Sequence, residues 1–413
     1  MDWLGGDNLN FVDKAFSKKD EPYFPHCGRL VELGDNLERI ICLGVVANCH
    51  NLWHHQKGRF SKEAIMDLFP STKLIVSALT SAYRKHPAGR ARWHLIGAGA
   101  IAFCLWANPI LAGDPFRTSN PKPIGDATEA AFNALFKNGN YKEAAERYLP
   151  EAESKEPSEP LVYAMRASLV YTDWQGDREN KALLASLKSY AVKTRETAAQ
   201  LEATDPLRGN LYKAVSHGLE AAAILGENGT LKGAPQALSK LQQVYGELDA
   251  AEKIAPNDPE FNLLKGWMDL LIAVNLPFSD SQQAIERLEK AAPAYLAYRG
   301  MAVGYRDLKQ YDKALQYVDI ALKNTPNNPE LHYLKAQILV GMDKNQEAKE
   351  HFQNAAAKSA QLPKDLVAQL VREQCRNQSK IDRKERNCSA MRERVRQING
   401  KWGPIVSQLP NLD

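Results

Sequence analysis

The segment Tyr295 to Asn328, YLAYRGMAVGYRDLKQYDKALQYVDIALKNTPNN, most narrowly limits how this chain can fold, because it holds two short apolar stripes of helical spacing. Tyr298, Met301, Ala302 and Tyr305 form the stripe of a first helix, and Tyr311, Ala314, Val318 and Ala321 that of a second. The small side chains of Ala302 and Ala314 let the two helices approach closely. Pro326 ends the second helix and turns the chain toward the next. Helices this short are marginal alone, so the two must pair, and the pair must stack on neighbours to bury its remaining apolar faces.

Related units flank this one. Pro329 to Leu362 repeats the pattern with Ala336, Leu339, Ala348, Phe352 and Ala355, although its closing Pro363 comes three places late. Upstream, Leu248, Ala251 and Pro256 close one unit and Gly266 opens another, whose turn is widened by Asn275 to Gln283 before Ala284, Leu288 and Ala291 resume it. Phe132 to Tyr148 carries Gly139-Asn140-Tyr141 and Ala144 in register, with Pro157 one place late. Residues 160–235 are less regular. Glu179 to Ala203 is too long for a standard second helix, and the region reads as degenerate helical hairpins. These residues resemble the tetratricopeptide repeat (TPR), with its aromatic, Leu-Gly and Tyr in helix one and its Ala, aromatic, Ala and Pro in helix two. The resemblance implies an all-α, right-handed helical-hairpin solenoid over residues 127–362. In texture the chain is also similar to exported cyanobacterial TPR proteins of unassigned activity.

The same resemblance implies a groove lined from the first helices by Arg299, Val303, Arg306, Asp307, Tyr333 and Gln337. Arg299 and Arg306 are two helical turns apart, so both project from one face, and Tyr333 is expected to flank them. Two guanidiniums beside an aromatic ring suit a protein or peptide partner that is acidic and carries a hydrophobic anchor. The rival is pairing of Arg306 with Asp307 or with a neighbouring helix, and an empty groove. The places at which TPR clamps hold a peptide's terminal carboxylates are here Leu263, Trp267, Gly300, Glu330 and Leu334, which argues against that mode.

Residues 363–413 read as a cap and tail. Val371 to Asn399 holds nine Lys/Arg against four Asp/Glu, as a solvated terminal helix would, with an anion-binding patch as the alternative. Cys375 and Cys388 are disulfide candidates. On one straight helix they would stand about 20 Å apart, and a bridge needs Cα atoms within roughly 7 Å. Pairing therefore requires Arg376 to Asn387 to be a loop, with Ser389 capping the helix that follows; the alternative is two thiols on a continuous charged helix.

The N-terminal quarter differs. Arg84, Lys85, Arg90 and Arg92 precede an apolar run, Leu95 to Trp106, and a small-residue exit at Ala112, the order of parts in a secretory signal. Residues 95–112 are read as that signal or as an uncleaved membrane anchor, residues 1–94 as an extension or a start codon placed too early, and residues 113–126 as a Pro-rich linker. After a cut at Ala112 only Cys375 and Cys388 remain of six cysteines, an even pair suited to an oxidising compartment. The product would carry 40 Lys/Arg and 39 Asp/Glu, leaving no overall field for nucleic acid or membrane surfaces. Cys27, Cys42, Cys49, His50 and His54 lack the spacing of a structural zinc site.

Beyond residue 112 only His217, His332 and His351 remain as histidines, none in a nucleophile motif, and neither a phosphate loop nor a metal-ligand spacing is visible. The leading expectation is a non-enzymatic, extracytoplasmic (periplasmic or lumenal) protein-binding scaffold with no cofactor and no metal. The alternatives are a membrane-anchored assembly factor built on the same repeats and an unrecognised hydrolase.

Overall fold

In the computed structural model, residues 113–275 and 281–412 are described; the expected extension 1–94 and the apolar run 95–112 lie outside them. The described secondary structure is helical, with no strand among these residues. A first rod comprises α1 (Asp126–Phe132) and a π-helical turn, Asn133–Lys137. Its partner comprises α2 (Tyr141–Glu143), a second π-helical turn (Ala144–Tyr148) and α3 (Leu149–Lys155). Then follow α4 (Pro160–Gly176), α5 (Lys181–Glu202), α6 (Pro206–Ile254), α7 (Pro259–Asn275) and α8 (Ser281–Glu289). The regular hairpins are α9 (Ala294–Asp307) with α10 (Tyr311–Asn324) and α11 (Pro329–Gly341) with α12 (Asn345–Ala356). A last hairpin joins α13 (Lys364–Asp382) to α14 (Cys388–Gln397). Consecutive helices pack as antiparallel pairs and each pair packs on the next. This is a TPR-like helical-hairpin solenoid.

Two irregularities of the sequence period have local structural causes. The π-helical turn at Ala144–Tyr148 takes up an extra residue within a helix, which accounts for Pro157 arriving one place late. The three late places before Pro363 are filled by a 3₁₀ turn, Ser359–Gln361. Both insertions are absorbed without disturbing the stripes: Ala144, Ala348, Phe352 and Ala355 stay buried.

The region read as degenerate hairpins contains the longest helices. α4 pairs with α5, and α5 with α6, which kinks at Gly229 (φ 69°, ψ 172°) and carries Pro235 beyond the kink. Glu220, before the kink, receives Arg195 Nε from α5 at 3.1 Å and pairs with Lys240 from beyond it, with His217 Nδ1 3.5 Å away. One carboxylate therefore fixes the two halves of α6 to each other and to α5.

Residues 113–126 are no linker. Phe116 and Ile124 are buried in the same core as α1, and Phe116 stacks edge-on against Phe132 at 5.3 Å. Gly113 adopts φ +80° and its carbonyl accepts from Ile124 N at 2.6 Å; a β-carbon there would strike the Ile124 carbonyl oxygen. Asp114 accepts from the backbone of Phe116, Arg117 and Lys122. Arg117 then reaches Asp258 and Glu260 at the start of α7, at 2.7 and 2.8 Å.

The solenoid also closes on itself. The turn between α1 and α2 seats against the start of α11: Asn328 Nδ2 donates to the carbonyls of Phe136 and Lys137, and Gln361 Nε2 to that of Gly139 at 3.1 Å. Gly139 (φ +60°) lies so near Asn328 and Pro329 that a side chain would collide with both. After α14 the chain returns across α13, where Gly403 N donates to Leu362 O, and Trp402 Nε1 reaches Glu146 before α3. A single buried cluster accordingly runs from Phe116 to Val395.

Acid should weaken the α6 kink. Burial works against the Glu220 charge, but His217, Lys240 and Arg195 outweigh it and hold the carboxyl at about 2. A depressed carboxyl stabilises fully above its unfolded value and loses that contribution as pH falls through the folded value. Thermal unfolding followed from pH 6 to pH 3 is expected to show a smaller fall in Tm for Glu220→Gln than for the parent.

Candidate functional site

The six residues expected to line a groove divide into two groups. Arg299 is 4% exposed, and its guanidinium forks onto Glu330 with both bonds at 2.9 Å. Glu330 also accepts the phenol hydrogen of Tyr141, from the N-terminal hairpin, at 2.6 Å. Arg299 cannot hold a partner's carboxylate, because Glu330 already occupies its fork. Val303 and Tyr333 are buried as well, and the Tyr333 ring rests against Phe352 of α12 at 6.2 Å, so it belongs to the core.

Arg306, Asp307 and Gln337 are half-buried at the other end of the same helices. Arg306 Nε donates to Asp307 at 2.8 Å and its NH1 to Gln337 Oε1 at 2.6 Å; Gln337 Nε2 passes to Glu373 at 3.0 Å, which also accepts from Gln369 at 2.8 Å. The local Arg306–Asp307 pair expected as the rival is present, and it is the first rung of a polar ladder crossing α9, α11 and α13.

The buried carboxylate has a counterpart. Glu260, next after Pro259 as Glu330 is after Pro329, takes Arg117 at 2.8 Å, Arg208 Nε at 3.3 Å and the Tyr212 phenol at 2.6 Å. In both places a side chain just before the proline, Asp258 or Asn328, caps the helix by accepting from the glutamate N–H at 3.0 Å. Each glutamate thus lies in the first turn of its helix, where the macrodipole favours negative charge. Burial opposes the charge on Arg117, yet Glu260 and Asp258 more than compensate, and its proton is held more firmly than usual. The repeated Asn-Asp-Pro-Glu and Asn-Asn-Pro-Glu were visible in the sequence, but read alone they mark exposed helix starts.

The ladder ends beside a concentration of positive charge that the expected groove did not include. Arg372 and Arg376 are one helical turn apart on α13, and Arg392 and Arg396 one turn apart on its partner α14. Burial and the neighbouring charges of Arg376, Arg392 and Arg396, offset in part by Glu373, pull Arg372 down to about 10. Arg392 is lowered too, by burial and then by Arg396. Arg396 Nε is held by Asp365 at 2.9 Å, whereas Arg376 is exposed.

The same hairpin carries the disulfide Cys375–Cys388, with Cα atoms 5.5 Å apart. The expectation that Arg376 to Asn387 is all loop needs correction. α13 continues to Asp382, turns at Arg383 (φ 59°), and only Arg383 to Asn387 runs back beside it to α14. An antiparallel return brings the cysteines together as well as a loop would. Asn387, not Ser389, caps α14, accepting from Ala390 N at 2.9 Å. Nor is α13 a solvated cap: Val367, Ala368, Leu370, Val371 and Cys375 are buried. Among the described residues no three His, Cys, Asp or Glu side chains gather as metal ligands.

The chain is a TPR-like helical-repeat protein by architecture. No family model matches it, and no curated protein does. Among solved structures it is similar to a tetratricopeptide repeat protein from Parabacteroides merdae, with 16% identity, 65% of this chain and 96% of that chain covered, and a TM-score of 0.30.

Arg299→Met leaves Glu330 charged and buried without its fork, and is expected to destabilise the protein by about 3–5 kcal/mol in chemical denaturation. Glu330→Gln, which keeps an acceptor for Tyr141, should cost less.

Proposed function

We propose that the protein is a non-enzymatic scaffold that binds a partner polypeptide, and that an acidic segment of the partner docks on the arginines of α13 and α14. The observation that carries this reading is the grouping of Arg372, Arg376, Arg392 and Arg396 on two paired helices, where burial and the neighbouring guanidinium charges lower Arg372 and Arg392. An anion relieves that repulsion and suits the forked geometry of guanidinium groups. The acidic partner expected from Arg299 and Arg306 is therefore moved to the terminal hairpin, since Arg299 is engaged with Glu330 and Arg306 within the ladder. The stacked hairpins supply the rigid support, and the ladder supplies a polar flank along which a bound segment extends.

Arg376→Glu with Arg392→Glu separates binding from folding. Reversal at these two positions removes repulsion, so Tm is expected to hold or rise. Binding of a fluorescent Glu-rich peptide, measured by anisotropy at low salt, should fall at least tenfold. Unchanged peptide affinity in the reversed protein would reject the arginine surface.

We further propose an exported, lumenal or periplasmic location. The Cys375–Cys388 bridge supports it, because lasting disulfides belong to oxidising compartments, and a loop of this size contributes about 3 kcal/mol there. Protein isolated from its native compartment under non-reducing conditions is expected to yield the linked 375–388 peptide pair and an N-terminus at Gly113 or nearby. Residues 95–112 retained in a membrane fraction would favour the anchored assembly factor instead, and free thiols at both positions would reject an oxidising compartment for either.

A further inference from the structure

A histidine pair stands apart from the surfaces described above. His332 lies in the first turn of α11 and His351 on α12, both half-buried, with their Nδ1 atoms 3.1 Å apart. His332 Nε2 lies 3.0 Å from the carbonyl oxygen of Pro326. A carbonyl oxygen only accepts, so this nitrogen carries the hydrogen, and Nδ1 of the neutral ring presents a lone pair. The hydrogen between the rings therefore belongs to His351 Nδ1. The ring centroids are 5.4 Å apart and the planes inclined by 23°. The nitrogens are closer than the centroids by two ring radii, which places both on the line joining the rings; the imidazoles meet edge to edge.

Two imidazole nitrogens thus converge with one hydrogen between them, and a cation can take that hydrogen's place as the His351 ring changes tautomer and carries its hydrogen on Nε2. We propose that His332 and His351 form a two-histidine site for a borderline divalent metal ion of the Zn²⁺ class, bound through both Nδ1 atoms and tying α11 to α12. Zn–N bonds of about 2.0–2.1 Å at a tetrahedral angle put two nitrogens about 3.3 Å apart. The pair stands within a few tenths of an ångström of that spacing, and binding requires each ring to swing its lone pair toward a common point. The Pro326 carbonyl already supplies the outer hydrogen bond that fixes the tautomer of a metal-bound histidine.

The surrounding charge is mixed: burial, Lys335 and Lys358 work against positive charge on the pair, and Glu350 and Asp319 favour it. Lys335 is paired with Asp319 at 2.8 Å, Lys358 Nζ donates to the Asn327 carbonyl at 2.8 Å, and Glu350 adjoins His351. Water completes the coordination. Two nitrogen donors favour Zn²⁺ over Mg²⁺ or Ca²⁺, which take oxygen.

The test uses the full chain and Zn²⁺ alone, with Mg²⁺ as the control. Because the chain has other histidines and cysteines, the reading is a difference in equilibrium dialysis. His332→Gln and His351→Gln are each expected to bind one Zn²⁺ fewer per chain than the parent, and the double variant no fewer than either single variant. Retention of the parent stoichiometry by either single variant overturns the site. A second measurement needs no variant: carbethoxylation of the parent, mapped by mass spectrometry, should show His332 and His351 both protected by Zn²⁺ and neither by Mg²⁺. Equal modification with and without Zn²⁺ overturns the proposal as well.

Discussion

The buried ion pair between Arg299 and Glu330, completed by the Tyr141 phenol, is the interaction on which the closed form of this solenoid depends. A stack of helical hairpins is held by contacts between neighbours and leaves its ends free to move. Here the first hairpin reaches back across the stack to a carboxylate near its far end. The desolvation of that carboxylate is tolerable because a fork of two hydrogen bonds and a phenol satisfy it together. Removing any one of the three residues leaves polar groups of the others buried without their best partner. Glu260 repeats the device with Arg117, Arg208 and Tyr212, and so draws the segment after Gly113 into the fold.

Closure changes what the repeat surface can offer. In an open stack the first helices present one face to a ligand. α9 and α11 instead bury residues nearly all round, including Arg299, Val303, Glu330 and Tyr333. A helix apolar or buried on every side belongs to an interior. At the surface of these helices Arg306 and Gln337 run into Glu373 of α13 as a ladder of mixed charge that is already hydrogen-bonded. The densest positive charge lies one hairpin further on, where α13 and α14 carry Arg372, Arg376, Arg392 and Arg396 and the disulfide joins the two helices.

The same hairpin shows how local and distant constraints combine. α13 buries one face against α12 and exposes basic residues on the other, and its connection to α14 is short enough that a covalent bridge closes without bending either helix. His332 and His351 join the two helices of the preceding hairpin in a comparable way, through one shared hydrogen in place of a covalent bond.

The sequence by itself determined the hairpins, because a helix stripe depends only on spacing within a few turns: the apolar positions of residues 295–362 point to the helices found there, and Pro326 and Pro363 mark where they end. It also showed that the period slipped before Pro157 and Pro363, though not that a π turn and a 3₁₀ turn absorb the slips, since those depend on backbone hydrogen bonding. The pairing of Cys375 with Cys388 was legible from the count of cysteines, while the path between them was not. Only the tertiary structure decided the fate of Arg299. Whether an arginine on a first helix faces a ligand or a glutamate depends on Tyr141 and Gly139, more than 150 residues away, being folded against it. No periodicity within a repeat carries information about a contact between the first hairpin and the start of α11, because that contact is set by how the whole stack turns.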